Sequence, residues 1–174
     1  MQPGARERHH EAWRDYNTDV VPADDLLERH PLLARLTHDQ CQRIAQAGEI
    51  ESFAEGELIV EDGTPSDALY LILAGRVEVM KGARSLSTLE AGEFFGEMSL
   101  VEPVPRSASV IAAENSFLFR LPYFELQNLL ESDPYAFNAM FVMIVRTLSE
   151  RLRRANELLG SIGQLADWLA GSLV

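Results

Sequence analysis

Residues 68–82 read ALYLILAGRVEVMKG, and this stretch decides the fold. An apolar run from Ala68 to Ala74 stops at Gly75. Val77 and Val79 then alternate with polar neighbours, a two-residue period that buries one face of a strand and wets the other. Further short β-like runs lie on either side: ELIVEDG (57–63), SLSTLEAG (85–92), SASVIAA (107–113) and FLFRL (117–121). Gly56, Gly63, Gly75, Gly82 and Gly92 punctuate them at intervals of about 7 to 12 residues, the spacing expected of a small antiparallel barrel or jelly roll.

Helical patterns flank this β region. Residues 1–22 are polar with little periodicity and read as a flexible or weakly helical leader. From Ala23 to Gly48 the apolar residues Leu26, Leu27, Leu32, Leu33, Leu36, Ile44 and Ala47 recur at helical spacings. Pro31 cuts the stretch and Thr37 is placed to cap its second part. After Pro122, YFELQNLLESD reads as a short amphipathic helix, and Asp133 with Pro134 can open another that runs to about Gly160. The reading is therefore α+β, with short N-terminal helices, an antiparallel jelly-roll barrel within residues 23–132, a long C-terminal helix over 133–160, and an amphipathic tail over 161–174.

The long helix carries an apolar seam, Phe137, Phe141, Ile144, Leu148, Ala155 and Leu158, at spacings of four and three, with Arg151 on the same line. Met140, Val145 and Leu152 form a second apolar face. Two faces suit two surfaces, the helix's own barrel and the helix of a partner copy; burial against its own barrel alone is the alternative. In ERLRRANE, Arg153 and Arg154 are expected to face water, with Glu150 pairing to Arg154 across one turn.

The chain has 174 residues, enough for one domain with a real core plus an appendage, and a formal net charge of −12. Glu49 to Phe119 holds thirteen acids against Arg76, Lys81, Arg84 and Arg106. Such a surface repels nucleic-acid phosphates, so direct DNA or RNA binding is not expected, and a bound anion must be held locally. The single cysteine, Cys41, allows no internal disulfide and fits a reducing compartment. No stretch approaches the roughly 20 apolar residues that span a bilayer, and the charged N-terminus lacks a signal peptide's apolar run. A soluble cytoplasmic protein with no membrane association is expected. The four histidines, His9, His10, His30 and His38, all precede the first strand, which leaves no metal cage of the cupin-like kind inside the barrel. Nor is there a Cys-His or Ser-His pairing there for nucleophilic catalysis, so no enzymatic role is expected.

Within this acidic region, GEFFGEMSLVEPVPRSASV (92–110) keeps one cation, Arg106, among small residues. Gly96 lets the backbone turn closely around a ligand, and the amides of Glu97, Met98 and Ser99 could then point inward as anion donors. The planar guanidinium of Arg106 can grip two phosphate oxygens, and the Ser107 hydroxyl can add a bond. A carboxylate beside a phosphate repels it unless it faces a hydroxyl donor. Glu97 and Arg106 together therefore suit a ligand with both an anionic phosphate and a free ribose hydroxyl. Taken singly, each residue has a plain reading as a turn, a solvated charge or a strand position.

Jointly, FGEMSLVEPVPRSASV resembles the phosphate-binding cassette of the cyclic nucleotide-binding domain family: Phe95-Gly96-Glu97, an aliphatic and a small residue, then Leu, followed by Arg106, a small residue, Ala108 and Ser109. DALYLILAGRVEV resembles the family's strand-turn-strand before the cassette, and the similarity runs from about Leu26 to Asn156. The resemblance implies a β-roll that binds cAMP or cGMP without metal and without chemistry. Glu97 would accept the ribose 2′-hydroxyl and Arg106 would clamp the cyclic phosphate, with Ser107 and the amides of Ser99 and Ala108 completing the cradle. It also implies a C-terminal helix that swings onto the nucleotide, where Arg151 would cap the base or sense the ligand. Signalling would pass through helix movement and homodimer contacts to an effector protein that the sequence does not name. A degenerate domain kept for protein interaction is the other reading. Catabolite activator-type regulators continue beyond this helix into a helix-turn-helix, whereas 14 residues follow Gly160 here. A sensor lacking the DNA-binding domain is expected. Some relatives that select cGMP place threonine directly after the cassette arginine; Ser107 stands there, and the expectation leans to cAMP.

Overall fold

The computed structural model describes residues 23–100, 102 and 104–171. The expected leader over 1–22 lies outside the described residues, apart from its boundary at Ala23.

Helix α1 (Ala23–Glu28), a 3-10 turn (Pro31–Leu33) and α2 (His38–Ala47) open the chain. The breaks follow the sequence signals. His30 caps the turn by accepting the Leu32 amide at 3.2 Å. Thr37 starts α2 as a capping box: its hydroxyl accepts the Gln40 amide at 3.3 Å while the Gln40 side chain accepts the Thr37 amide at 3.0 Å. Gly48 ends it.

Eight strands follow: β1 (Glu49–Phe53), β2 (Leu58–Val60), β3 (Ala68–Ala74), β4 (Arg76–Lys81), β5 (Arg84–Glu90), β6 (Phe94–Phe95), β7 (Ser109–Ala112) and β8 (Ser116–Pro122). They form two antiparallel sheets of four, ordered β1-β8-β3-β6 and β2-β7-β4-β5. The uninterrupted apolar run of β3 has a direct cause. Ala68, Tyr70 and Ile72 face the interior of the roll with Val77, Leu89, Phe95, Val110 and Leu118. Leu69 and Leu71 face the other way, under the helices, with Leu27, Leu33, Ile44, Phe119 and Met140. A strand covered on both faces has no polar side to show. Leu69 and Leu71 are fully buried, and truncating either to alanine costs about 2–5 kcal/mol. Gly75 turns β3 into β4 at φ +85°, where a Cβ would lie 2.6 Å from the Asn115 carbonyl.

Helices α3 (Tyr123–Ser132) and α4 (Pro134–Gly171) complete the fold. Asp133 caps α4 as expected, its Oδ1 accepting the Ala136 amide at 3.0 Å. Its Oδ2 accepts Gln40 Nε2 at 3.0 Å and pairs with Arg43, tying the root of α4 to α2. Among the described residues, no helix is long and apolar enough to cross a membrane.

Two expectations for the long helix are corrected. It does not stop near Gly160 but continues through Gly160 and Gly163 to Gly171, so the residues from Ser161 to Gly171 are not a separate tail. A glycine ends a helix when it adopts positive φ; Gly160 does not, and inside a helix it costs only about 1 kcal/mol. The two expected faces are also sorted differently: Ile144 of the first and Met140 of the second share one buried stripe, while Phe141, Leu148 and Leu158 of the first and Val145 and Leu152 of the second are exposed. Ala136, Met140 and Ile144 are buried against the body of the protein, with Met143 packed beside them. Phe141, Val145, Leu148, Leu152, Leu159 and Ile162 are left exposed, at 38% to 66% of their surface. Spacings of three and four describe both stripes, and only packing distinguishes them.

Candidate ligand site between the roll and the long helix

A cavity of about 440 Å³ opens between the concave face of the roll and α4, within the roughly 300–1,000 Å³ usual for small-molecule sites. Phe95, Gly96, Glu97, Met98, Ser99, Arg106, Ser107, Ala108 and Arg151, singled out from the sequence, all line it. Its apolar floor includes Val60, Val79, Leu89 and Val110 from the roll's interior.

The cassette is built around two buried features. Phe95 ends β6 stacked on Tyr70, ring centroids 5.0 Å apart, and Gly96 follows at φ +91°. A Cβ at Gly96 would sit 2.6 Å from the Ala68 carbonyl and 2.7 Å from Arg106 Nη1, so glycine is what lets the guanidinium lie there. The Tyr123 hydroxyl donates to the Gly96 carbonyl and fixes the turn from the far side. A 3-10 turn, Glu97–Leu100, comes next.

Arg106 is only 7% exposed. Its Nη2 donates to the Ala68 carbonyl at 3.1 Å and lies 3.5 Å from Asp67 Oδ1, and the guanidinium sits 5.6 Å from the Tyr70 ring centroid. Nη1 is buried with no hydrogen-bond partner. The backbone holds the side chain in register: Arg106 N donates to the Thr64 carbonyl and Gly63 N to the Arg106 carbonyl, both at 2.8 Å. Lys81 clamps the following residue, its Nζ 2.8 Å from both the Ser107 carbonyl and Asp62 Oδ1. The Ser107 hydroxyl donates to the exposed Met98 sulfur at 3.5 Å, and the Ser99 hydroxyl to the Val104 carbonyl at 2.9 Å. An anion in this cavity therefore meets a buried, positively charged donor with a free N–H, and burying such a donor unsatisfied costs about 1–3 kcal/mol or more.

Glu97 faces α4 rather than water. Its side chain is 10% exposed, with Oε1 3.6 Å from Arg151 Nη1. Arg151 also donates from Nη2 to the Phe94 carbonyl at 2.7 Å, lies 3.6 Å from Glu93 Oε1 and covers the Phe94 ring at 5.1 Å. One arginine thus links α4 to the cassette carboxylate and to β6.

Sequence reasoning missed several residues here. Asp67, Lys81 and Tyr123 position the cassette from distant elements, and no local signal marks them. Arg154 is exposed, as expected, and borders the cavity, while its expected pair with Glu150 is not among the ion pairs of the described residues. Its spacing of three from Arg151 puts both on one helix face, the signal that could have found it. No group of three or more His, Cys, Asp or Glu among the described residues is arranged to hold a metal.

A two-sheet roll with an anion-ready cleft under a long helix defines a small-ligand sensor domain. Residues 50–133, most of the β-roll, match the family model described as the cyclic nucleotide-binding domain. The chain is 36% identical over 92 residues to a cAMP-dependent protein kinase regulatory subunit of Hypocrea atroviridis, covering 53% of this chain and 20% of that protein. It is 34% identical over 132 residues to Glutaminase 1 of Bradyrhizobium diazoefficiens, 75% of this chain and 21% of that one. The crystal structure of the Thermus thermophilus catabolite activator protein superposes with a TM-score of 0.64 at 28% identity, over 76% of this chain and 63% of that one. The chain spans about a fifth of the length of these two curated relatives.

Proposed function

We propose that this chain is a regulatory module that binds a 3′,5′-cyclic nucleotide, cAMP in preference to cGMP, and reports occupancy through α4. The observation that carries the reading is the buried Arg106 guanidinium, which lines the cavity and whose Nη1 has no hydrogen-bond partner. The cyclic phosphate satisfies that donor, helped by Ser107 and the amides of Met98, Ser99 and Ala108. Glu97 accepts the ribose 2′-hydroxyl. Because Glu97 is already paired to Arg151, sugar binding alters the contact that holds α4 to β6. The nucleotide thus shifts the population of helix placements, and no bond is made or broken. The cAMP-dependent kinase regulatory subunit among the relatives supports cAMP, and the kinase and glutaminase relatives support coupling to an effector enzyme.

The exposed stripe Phe141, Val145, Leu148, Leu152, Leu159, Ile162 is spaced four, three, four, seven and three, in keeping with the heptad of a two-helix coiled coil. A homodimer through α4 covers it. A cytoplasmic setting and a non-catalytic role complete the proposal.

Calorimetric titration of the purified chain with cAMP, cGMP and 5′-AMP tests it. Micromolar or tighter binding of a cyclic nucleotide, with 5′-AMP much weaker, is expected. Heat and thermal shift absent with both cyclic nucleotides would overturn the proposal in favour of a domain kept for protein contacts.

A further inference from the structure

On the cyclic nucleotide reading, which this inference presupposes, Met98 gives the cradle its amide and leaves its side chain unused. That side chain is chemically reactive. Met98 lies in the 3-10 turn of the cassette, is 60% exposed and lines the cavity. The other methionines among the described residues are shielded: Met140 is 1% exposed, and Met80 and Met143 are half-buried. Met98 Sδ accepts the Ser107 hydroxyl at 3.5 Å. The rest of Ser107 is held in place, because Lys81 Nζ bonds its carbonyl at 2.8 Å and the neighbouring Arg106 backbone is tied to Gly63 and Thr64. Its hydroxyl can still rotate, and it has two acceptors to serve: the Met98 sulfur and a phosphate oxygen.

A thioether is a weak acceptor, so a charged phosphate takes the hydroxyl from it at little cost. A sulfoxide oxygen carries partial negative charge and holds the hydroxyl firmly. We propose that Met98 is a site of reversible oxidation by hydrogen peroxide, and that its sulfoxide weakens cyclic nucleotide binding. The sulfur lone pair attacks one peroxide oxygen; the S–O bond forms as the O–O bond breaks, and the departing hydroxide leaves as water with the remaining proton. Sulfur is oxidised by two electrons and the peroxide is reduced. A methionine sulfoxide reductase reverses the change with two thiols, which become a disulfide while the oxygen leaves as water. The added oxygen acts twice: it keeps the hydroxyl that the phosphate needs, and it turns the negative end of a dipole towards that phosphate. A bound nucleotide covers Met98, so an occupied domain resists the oxidation that an empty one accepts. Peroxide and nucleotide therefore oppose one another at one side chain.

The test exposes the full chain to hydrogen peroxide, follows each methionine by peptide mass spectrometry and titrates the product with cAMP. Met98 should oxidise ahead of Met80, Met140 and Met143, and saturating cAMP should slow it by about fivefold or more, since susceptibility follows exposure. Complete conversion should weaken cAMP about tenfold, the loss of one hydrogen bond to a charged group. Treatment with reductases for both sulfoxide epimers should restore the affinity. Ser107→Ala, which lacks the contested hydroxyl, should show a smaller oxidation penalty. Met98→Leu, whatever its own affinity, should bind equally before and after peroxide. Oxidised Met98 that binds cAMP as tightly as the thioether, a Met98 that cAMP does not protect, or a Met98→Leu chain that loses as much affinity to peroxide each overturns the proposal. So does an oxidised chain that loses binding only because it has unfolded in a thermal melt. An untreated chain that binds no cyclic nucleotide overturns the parent reading instead, so the two failures are distinct.

Discussion

Arg106→Ala should separate affinity from stability. Two phosphate contacts from this guanidinium, each a hydrogen bond to a charged group at about 1.5–3 kcal/mol, put the loss of binding at roughly 3–6 kcal/mol, a hundredfold or more. Stability should move far less. The substitution removes the bond from Nη2 to the Ala68 carbonyl at 3.1 Å, but it also removes a buried Nη1 that has no partner. The first change costs and the second recovers about 1–3 kcal/mol each. The ion pair to Asp67 adds little, since that carboxylate is 63% exposed and the separation is 3.5 Å. A net change within about 2 kcal/mol is expected for the ligand-free protein. Calorimetry with cAMP and a thermal melt without it give the two numbers from one preparation. Arg106→Lys should fall between, because it keeps the charge and loses the fork. An Arg106→Ala chain that still binds within threefold of wild type would refute the phosphate role. One that binds poorly only because it is unfolded in the melt would refute the division between ligand and fold.

Arg151→Ala should weaken cAMP binding several-fold and speed hydrogen exchange in α4, since it deletes the 2.7 Å bond to Phe94 that pins the helix; unchanged titrations would remove its sensing role. Leu148→Asp with Leu152→Asp places charges in the exposed stripe and should give monomers in sedimentation, while a persisting dimer would move the interface elsewhere. Gly96→Ala should lower both melting temperature and affinity, at a cost of about 1–3 kcal/mol for a residue at φ +91° whose Cβ meets the Ala68 carbonyl; wild-type behaviour would mean the turn relaxes freely. His30 is held from its ordinary 6.5 down to about 4 by burial, opposed by its hydrogen bond to the Glu93 carbonyl. The folded protein resists a proton that the unfolded chain takes up readily. Stability contributed by the neutral ring is therefore complete above pH 6.5 and is lost as pH falls towards 4, by up to about 3 kcal/mol. Denaturant melts of His30→Gln should show a shallower loss over that interval, and an identical slope would assign it to other groups.

Much of this protein follows from signals that act over a few residues. Two-residue alternation around glycine turns marks strands because adjacent side chains leave a strand on opposite faces. Thr37 and Asp133-Pro134 mark helix starts because the unpaired amides of a first turn need a nearby acceptor. Gly96, Glu97 and Arg106 stand close in sequence, so the chemistry of the cassette was legible before its geometry. The tertiary structure decided what depends on where an element lands. Apolar positions at spacings of three and four cannot say which lie on the roll and which outside it, because neighbouring stripes of a helix share the same period. Gly160 leaves open whether the helix ends, since glycine permits a stop without imposing one. Lys81 and Asp67 acquire their roles only when β-strand pairing carries them beside residues 26 and 39 positions away. Local stereochemistry is written along the chain; the sorting of helix faces and the company of each charge arise from packing between parts that are distant in it.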